Sequence, residues 1–156
     1  MSKPEEGSIA PDFTLPTDGG GTFSLSGHSG KPLVLFFYPK DDTSGCTTEA
    51  IGFTAAKPEF DKLGVVVAGM SPDPVKKHDK FRDKHSLGVT LISDEDKVAL
   101  DAYGVWVEKS MYGKKYMGVE RSTFLIGKDG KIAKAWRKVS VTGHVDEVLA
   151  AARALA

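Results

Sequence analysis

Three apolar runs, separated by segments of helical character, constrain the fold of this chain more than any other feature. They are "KPLVLFFYP" at 31–39, "GVVVAGMS" at 64–71 and "VTLIS" at 89–93. Continuous apolar runs of this length are typical of strands that are buried on both faces of a sheet. The segments that follow the first two runs, 45–56 and 73–85, have the spacing of helices. Strands that alternate with helices predict an α/β layer architecture with parallel pairing.

The two ends of the chain add further elements. Short alternating runs at 12–15 and 21–25, around a glycine-rich turn, predict an N-terminal hairpin. Near the C-terminus, Asp129-Gly130 between strand-like runs predicts a second hairpin, and "GHVDEVLAAARALA" predicts a closing helix. We therefore expect a thioredoxin-like α/β fold, with a central mixed sheet of about five strands flanked by helices and an extra N-terminal β-hairpin.

Element boundaries follow from proline, glycine and capping residues. Pro58 is expected to start a turn separate from the helix at 45–56. Asp73 is the predicted N-cap of the next helix, with Pro74 at its first position. A short helix is expected at 95–104, and residues 105–121 are expected to form a long irregular loop.

Length and composition exclude several classes of protein. With 156 residues and 40% hydrophobic side chains, we expect residues 1–156 to form a single domain. The 21 basic side chains balance the 21 acidic ones, so neither nucleic acid nor an anionic membrane is the expected partner. No apolar stretch approaches the roughly 20 residues of a spanning helix, and the start of the chain lacks the apolar core of a secretory signal. One cysteine fits a reducing compartment, and we expect the cytoplasm.

That one cysteine, Cys46, lies between a predicted strand and a predicted helix. The polar segments "KDDTSG" before it and "TTE" after it are unsuited to a core. Thr43 and Ser44 are residue types that cap helices, which would place Cys46 in the first helical turn. Free N–H groups and the helix dipole favour an anion there, and the thiolate is the reactive form of cysteine. The alternative is that Cys46 is only a small buried hydrophobe.

The other polar residues receive less specific interpretations. Without a Cys-x-x-Cys motif, dithiol exchange is excluded, and the histidines lack metal-ligand spacing. Asp41 and Asp42 are interpreted as a solvated loop pair. Arg121 is either a surface arginine or, in a thioredoxin-like sheet, a cation near the thiol loop that would stabilise the thiolate and developing oxyanion charge. The histidines are interpreted as surface or hydrogen-bonded helix residues: His28, His78, His85 and His144.

Several segments resemble the peroxiredoxins. In "YPKDDTSGCTTEA", the residues Pro39, Thr43 and Cys46 have the Pro-x-x-x-Thr-x-x-Cys spacing of the peroxidatic-cysteine segment of that family. The wider similarity is to the peroxiredoxin Q branch, also called bacterioferritin comigratory protein. It extends over roughly residues 9–134, in "APDFTL", "LVLFFYPKDDTSGCTTEA", "VVVAGMSPD", "LISDED" and "ERSTFLIGKDGKI".

The resemblance implies thiol-dependent reduction of hydrogen peroxide and organic hydroperoxides. Cys46 would attack the peroxide and become a sulfenic acid. Thr43 would offer its hydroxyl to peroxide and thiolate, and Arg121 would supply fixed positive charge. Pro39 would cover the pocket and limit water. No metal or organic cofactor is implied.

The chain differs from many relatives in lacking a resolving cysteine. The two positions where relatives carry one hold Ile51, expected to pack against the sheet, and Arg82. This indicates the one-cysteine type, whose sulfenic acid is resolved by an external thiol: a small thiol, glutaredoxin, thioredoxin or the Cys46 of another subunit. Either a monomer or a weak homodimer is compatible with the sequence. Two alternatives stay open: a peroxide sensor that relays oxidation to a partner protein, and a non-catalytic thioredoxin-fold binding module.

Overall fold

A five-stranded sheet forms the centre of the computed structural model, which describes residues 4–28 and 30–155. The strands are β1 Thr14–Pro16, β2 Thr22–Ser24, β3 Leu33–Phe37, β4 Val66–Ser71, β5 Thr90–Ser93, β6 Trp106–Met111, β7 Lys114–Val119, β8 Ser122–Ile126 and β9 Ile132–Trp136. The helices are α1 Ser44–Lys62, α2 Val75–His85, α3 Val98–Ala102 and α4 His144–Leu155.

The central sheet is mixed, with the strand order β5-β4-β3-β8-β9. Strands β3, β4 and β5 are parallel, and α1 and α2 are the crossovers between them. Strand β8 runs antiparallel to β3, and β9 antiparallel to β8. Strands β1 and β2 form the N-terminal hairpin. The predicted mixed α/β architecture with an extra hairpin is therefore confirmed.

Strand β3 divides the core into two halves, because successive side chains point to opposite faces of a sheet. Leu33, Leu35 and Phe37 pack on one face with residues of the N-terminal segment and α3. Val34 and Phe36 pack on the other face with α1, α2 and α4. The apolar run at 31–39, which contains β3, is thus buried on both faces of the sheet, as predicted.

Two segments that were predicted to interrupt the regular secondary structure are instead parts of a hairpin and of a helix. Residues 105–121, expected to be a loop, contain the antiparallel hairpin β6–β7. Its turn residues Tyr112 and Gly113 both have positive φ, the conformation of a tight two-residue hairpin turn, but Tyr-Gly is a weaker signal than Asn-Gly. Helix α1 continues through Pro58, where a separate turn was expected. Phe53 and Phe60 are fully buried on either side of this proline, and their packing outweighs the lost backbone hydrogen bond.

Two predicted helix boundaries are also wrong. The N-cap of α2 is Pro74, not Asp73, because the Asp73 carboxylate is turned inward and accepts hydrogen bonds from Ser71 and from the backbone of Asp41. The short helix expected at 95–104 is limited to α3, and the Asp94 carboxylate accepts hydrogen bonds from backbone N–H groups of its first turn.

Within the described residues, no helix combines the length and the apolar character that crossing a bilayer requires.

Candidate active site

Cys46 is the third residue of α1, directly after the loop that leaves β3. Its side chain is only 1% exposed and packs in the core half that contains Tyr38, Ala50 and Phe53. The thiol therefore lies in the first turn of a long helix, at the positive end of the helix dipole and beside backbone N–H groups that have no partner within the helix. A charge buried in apolar surroundings is costly unless it is paired.

Arg121 provides the partner. It lies in the two-residue connection between β7 and β8, and the next residue, Ser122, pairs with Phe37 at the end of β3. This antiparallel register brings Arg121 to the same end of the sheet as the Cys46 loop. Its Nη2 donates a hydrogen bond to Cys46 Sγ at 3.2 Å. A Cβ atom on Gly45 would lie 3.2 Å from Nη2, so the absence of a side chain at Gly45 permits this approach.

Thr43 and Pro39 lie in the loop between β3 and α1. Thr43 is the N-cap residue of α1 by position, but its exposed hydroxyl does not cap the helix. It donates instead to the carbonyl of Lys40 at 2.9 Å, which leaves the lone pairs of the hydroxyl oxygen free to accept. Pro39 is half-buried between β3 and this turn. The structure thus brings Cys46 and Arg121 into contact, and places Thr43 and Pro39 on the loop that leads to them.

Glu49 belongs to the same site, and the sequence analysis missed it. Its side chain is completely buried one turn after Cys46, and its Oε1 accepts a hydrogen bond from Arg121 Nη1 at 2.7 Å. The other oxygen, Oε2, has no hydrogen-bond partner in the described part of the chain. Burial raises the pKa of Glu49 to about 7, although Arg121 acts in the opposite direction. The sequence did contain a signal for this neighbour: Glu49 follows Cys46 by three residues on a predicted helix, and residues at that spacing lie on the same helix face.

Arg121 therefore serves two acidic groups. Burial lowers the pKa of its guanidinium, but the charges of Glu49 and Cys46 outweigh burial, and the net pKa is raised above the ordinary value. The guanidinium stays charged at any physiological pH. Its planar fork directs one nitrogen at each partner, a geometry that lysine cannot reproduce.

The interpretation of Asp41 and Asp42 as a solvated pair is half wrong. Asp42 is exposed, and its carboxylate contacts Lys84 at 2.7 Å and His85 at 2.8 Å. Asp41 is buried and contacts the equally buried His78 at 2.6 Å. Both carboxylates connect the Cys46 loop to α2, and no described residue of α2 makes a hydrogen bond to the thiol itself.

The two positions where many relatives carry a resolving cysteine are both on helices. Ile51, predicted to pack against the sheet, is 44% exposed on α1, so that prediction is wrong. The residue at this position follows Cys46 by five places and faces another side of the helix. Arg82 lies on α2 and pairs with Asp18 at 3.0 Å.

Comparison with known proteins identifies the family. The AhpC/TSA family pattern matches residues 7–135. The chain belongs to the AhpC/TSA family. A bcp protein of Coxiella burnetii is 52% identical over 145 residues, which cover 93% of this chain and 96% of the relative. The peroxiredoxin Bcp of Bacillus subtilis is 50% identical, with 93% and 92% covered.

Solved structures agree with the curated relatives. A peroxiredoxin Q structure from Xanthomonas campestris superposes with a TM-score of 0.89 at 48% identity and covers 97% of this chain and 96% of that one. The peroxiredoxin Q of Xylella fastidiosa superposes with a TM-score of 0.93 at 39% identity, with 99% and 98% covered. A further Xanthomonas campestris structure, of its bacterioferritin comigratory protein, was determined to study alkyl peroxide reduction. These matches confirm the predicted peroxiredoxin Q resemblance, the thioredoxin-like fold and the enzyme class of thiol-dependent peroxidases.

The buried carboxyl of Glu49 predicts an unusual dependence of stability on pH. Because its pKa is raised on folding, the folded protein binds the proton more tightly, and stability is lost as pH rises from about 4.5 through about 7. A shift of this size corresponds to about 3 kcal/mol. Glu49→Gln cannot ionise, so we expect its free energy of unfolding to fall less than that of the parent over this range.

Urea unfolding at a series of pH values measures the difference. Glu59→Gln is the matched control, because Glu59 lies on the same helix with its side chain 45% exposed. Parallel stability curves for the parent and Glu49→Gln would contradict the prediction.

Proposed function

We propose that Cys46 is the peroxidatic residue of this peroxidase and that Arg121, Thr43 and Pro39 complete its site. The observation that carries the proposal is the 3.2 Å contact of the Arg121 guanidinium with the Cys46 sulfur in the first turn of α1. A fixed cation and a helix N-terminus on one buried thiol support the anionic form that attacks a peroxide.

The reaction begins with attack of the Cys46 thiolate on one oxygen of a hydroperoxide. The S–O bond forms as the O–O bond breaks, sulfur is oxidised to the sulfenic acid, and the second oxygen leaves as water or alcohol after it takes up a proton. Negative charge moves from sulfur to the departing oxygen during this step. Arg121 stays charged throughout and stabilises both ends of that movement, since its position is fixed before the reaction by Glu49.

Thr43 and Pro39 act on the substrate side. The Thr43 hydroxyl donates to Lys40, so its oxygen is oriented to accept a hydrogen bond from the peroxide O–H. Pro39 has no N–H to bind water and stiffens the loop at its start. Together they would direct the peroxide towards the buried sulfur and away from bulk water.

Recovery of the thiol requires a reductant from outside the chain, because Cys46 is the only cysteine. A first external thiol attacks the sulfenic acid, water leaves, and a mixed disulfide forms. A second thiol attacks that disulfide and releases Cys46 as thiolate. Thioredoxin, glutaredoxin and small thiols are all chemically competent reductants. The cytoplasmic location, the single domain over 1–156 and the monomer or weak homodimer stay predictions.

The assignment of Cys46 is tested by stoichiometry. Hydrogen peroxide in equal amount should convert Cys46 to a sulfenic acid that a dimedone reagent traps, and mass spectrometry locates the adduct. Cys46→Ser should consume no peroxide above background. Peroxide reduction by that variant would refute the assignment. Continued turnover with an added thiol distinguishes a peroxidase from a sensor that only relays its oxidation.

The role of Arg121 is tested by Arg121→Met, which keeps the length of the side chain and removes its charge. We expect the rate of Cys46 oxidation to fall about 100-fold, as for the loss of a transition-state donor. The loss should persist at a pH at which the thiol of the variant is fully ionised, because the charge acts on the departing oxygen as well as on sulfur. A rate that recovers fully at that pH would restrict Arg121 to stabilising the thiolate.

Arg137→Met is the matched control for Arg121→Met. Arg137 is also partly buried, but it donates to the carbonyls of Tyr103 and Pro4, whereas Cys46 accepts from Arg121. Its replacement should leave the rate of Cys46 oxidation within about twofold, since it removes no charge from the reacting atoms.

The external-thiol requirement is tested by supplying an internal one with Ile51→Cys. Five residues along α1 give about 7.5 Å of rise and a different face, so a disulfide with Cys46 needs unwinding of the first turns. Because Ile51 is exposed, the substitution leaves the core intact. We expect peroxide to produce an intramolecular disulfide, with loss of helical circular dichroism and less overoxidation. Lys57→Cys, at a partly exposed position farther along α1, should stay a free thiol. A sulfenic acid that persists in Ile51→Cys would show that α1 does not open.

A further inference from the structure

A buried polar network ties the loop that precedes Cys46 to α2. Tyr38 donates its hydroxyl proton to Asp41 Oδ1 at 2.6 Å, and His78 Nδ1 lies 2.6 Å from Asp41 Oδ2. The backbone N–H of Asp41 donates to Asp73 Oδ2 at 2.7 Å. The side chains of His78 and Asp41 are 0% and 1% exposed. Buried polar groups in such a number are costly unless all are bonded, so their presence needs an explanation beyond packing.

The protons of this network can be assigned from the acceptors. His78 Nε2 lies 2.9 Å from the carbonyl oxygen of Ile92, which can only accept, so Nε2 carries a hydrogen. The short contact from Nδ1 to Asp41 then contains one further proton between nitrogen and oxygen. The pair is neutral overall and fully bonded. Burial raises the pKa of Tyr38 well above its ordinary value, and Asp41 adds to this effect, so the tyrosine hydroxyl stays a donor.

One carboxylate oxygen each of Asp41 and Asp73 and one ring nitrogen of His78 lie within 4.8 Å of one another, a spacing that a metal ion could use. These ligand atoms already make hydrogen bonds. Asp73 Oδ2 accepts from Asp41 N–H and from the Ser71 hydroxyl, and the Asp41 oxygens accept from Tyr38 and pair with His78. The arrangement is a completed hydrogen-bond network and is better suited to fixing the loop than to binding a cation.

We propose that His78 is a positioning residue of the peroxidase site, acting through Asp41 on the turn that carries Thr43. The proposal rests on the function assigned to Cys46 above. Asp41 precedes Thr43 by two residues, and Asp42 between them has φ of 63°, the left-handed conformation of a tight turn. With Asp41 fixed at its backbone N–H and at both side-chain oxygens, the turn has one orientation, and Thr43 begins α1 at a fixed position before Cys46.

This role predicts sensitivity to alkaline pH. Burial would lower the pKa of His78, but its hydrogen bond to Asp41 and the charge of that carboxylate outweigh burial and raise it above the ordinary value. The imidazole therefore keeps its second proton to a higher pH than an ordinary histidine does, and loses it as pH rises through this raised pKa. Without this proton, the lone pair of His78 Nδ1 faces the Asp41 carboxylate, and the two repel each other. The groups that face His78 are Asp41 and Tyr38 from the loop side and Asp73, paired with Lys77, from the start of α2.

Two substitutions separate positioning from general stability. His78→Leu removes both hydrogen bonds, and we expect the rate of Cys46 oxidation by hydrogen peroxide to fall about tenfold, as displacement of a reacting group predicts. His78→Asn retains an amide N–H near the Nδ1 position but cannot titrate. It should recover part of that rate and lack the decrease in rate that we expect of the parent as pH rises through the raised pKa of His78.

The matched control is His85→Gln. His85 lies on the same helix and contacts the next residue of the same loop, Asp42, at 2.8 Å, but that pair is partly exposed. An exposed pair contributes little, so the rate and its pH profile should stay within about twofold of the parent. Oxidation rates are measured by trapping the sulfenic acid. Parent-like rates and an unchanged alkaline decrease in both His78 variants would overturn the proposal.

A measurement on the parent protein keeps the proposal testable if His78→Leu does not fold. Nitrogen-15 NMR of the imidazole should show hydrogens on both Nε2 and Nδ1 at pH values below the raised pKa of His78. At alkaline pH the Nδ1 signal should change together with the amide signals of Asp41 and Thr43. A loop whose signals do not follow the imidazole would refute the coupling. Failure of Cys46 to form a sulfenic acid in the parent would instead refute the function itself, so the two failures are distinguishable.

Discussion

The antiparallel pairing of β8 with β3 is the constraint on which the site depends. It places Ser122 opposite Phe37, so that the preceding residue, Arg121, lies at the end of the sheet from which the chain departs towards Cys46. A shift of this register by one residue would move every side chain of β8 to the opposite face of the sheet. Fully buried side chains along both strands, including Phe36 and Phe124, oppose such a shift. The packing of the core thereby fixes a 3.2 Å contact between residues 75 positions apart.

Much of this organisation is readable from the sequence, because its causes are local or periodic. Apolar runs identify β3, β4 and β5, and the polar residues before Cys46 identify a helix start with the thiol in its first turn. The hairpin β6–β7 was not predicted, because its turn is Tyr112-Gly113 and its strands are largely exposed, which weakens both the turn and the hydrophobic signal. The continuity of α1 through Pro58 was also missed, since tertiary packing of aromatic side chains decides it.

The charged residues of the site show where sequence reasoning ends. Arg121 was identified through its expected strand neighbour, but Glu49 and Asp41 resemble ordinary solvated acids in the sequence, and only burial distinguishes them. Glu49 is buried because its turn of α1 faces the sheet, and Asp41 because the turn before α1 folds back over α2. Burial is the property that gives each of them a function: it raises the pKa of Glu49, and it makes the contact of Asp41 with His78 a strong one.

Two pairs of buried charged residues flank the site: Arg121 with Glu49 on the sheet side, and Asp41 with His78 on the side of α2. On the sheet side, Arg121 donates to both the Glu49 carboxyl and the Cys46 sulfur, so two acidic groups share one cation. An ionised Glu49 neutralises part of the electrostatic effect of the Arg121 guanidinium on the sulfur. With Glu49 protonated, the positive charge of Arg121 acts on the sulfur without an opposing anion. On the helix side, the pair of Asp41 and His78 is neutral and contributes geometry without net charge. The position of the thiol loop and the charge at the thiol are therefore set by separate groups. A substitution at His78 changes the first, and a substitution at Glu49 changes the second.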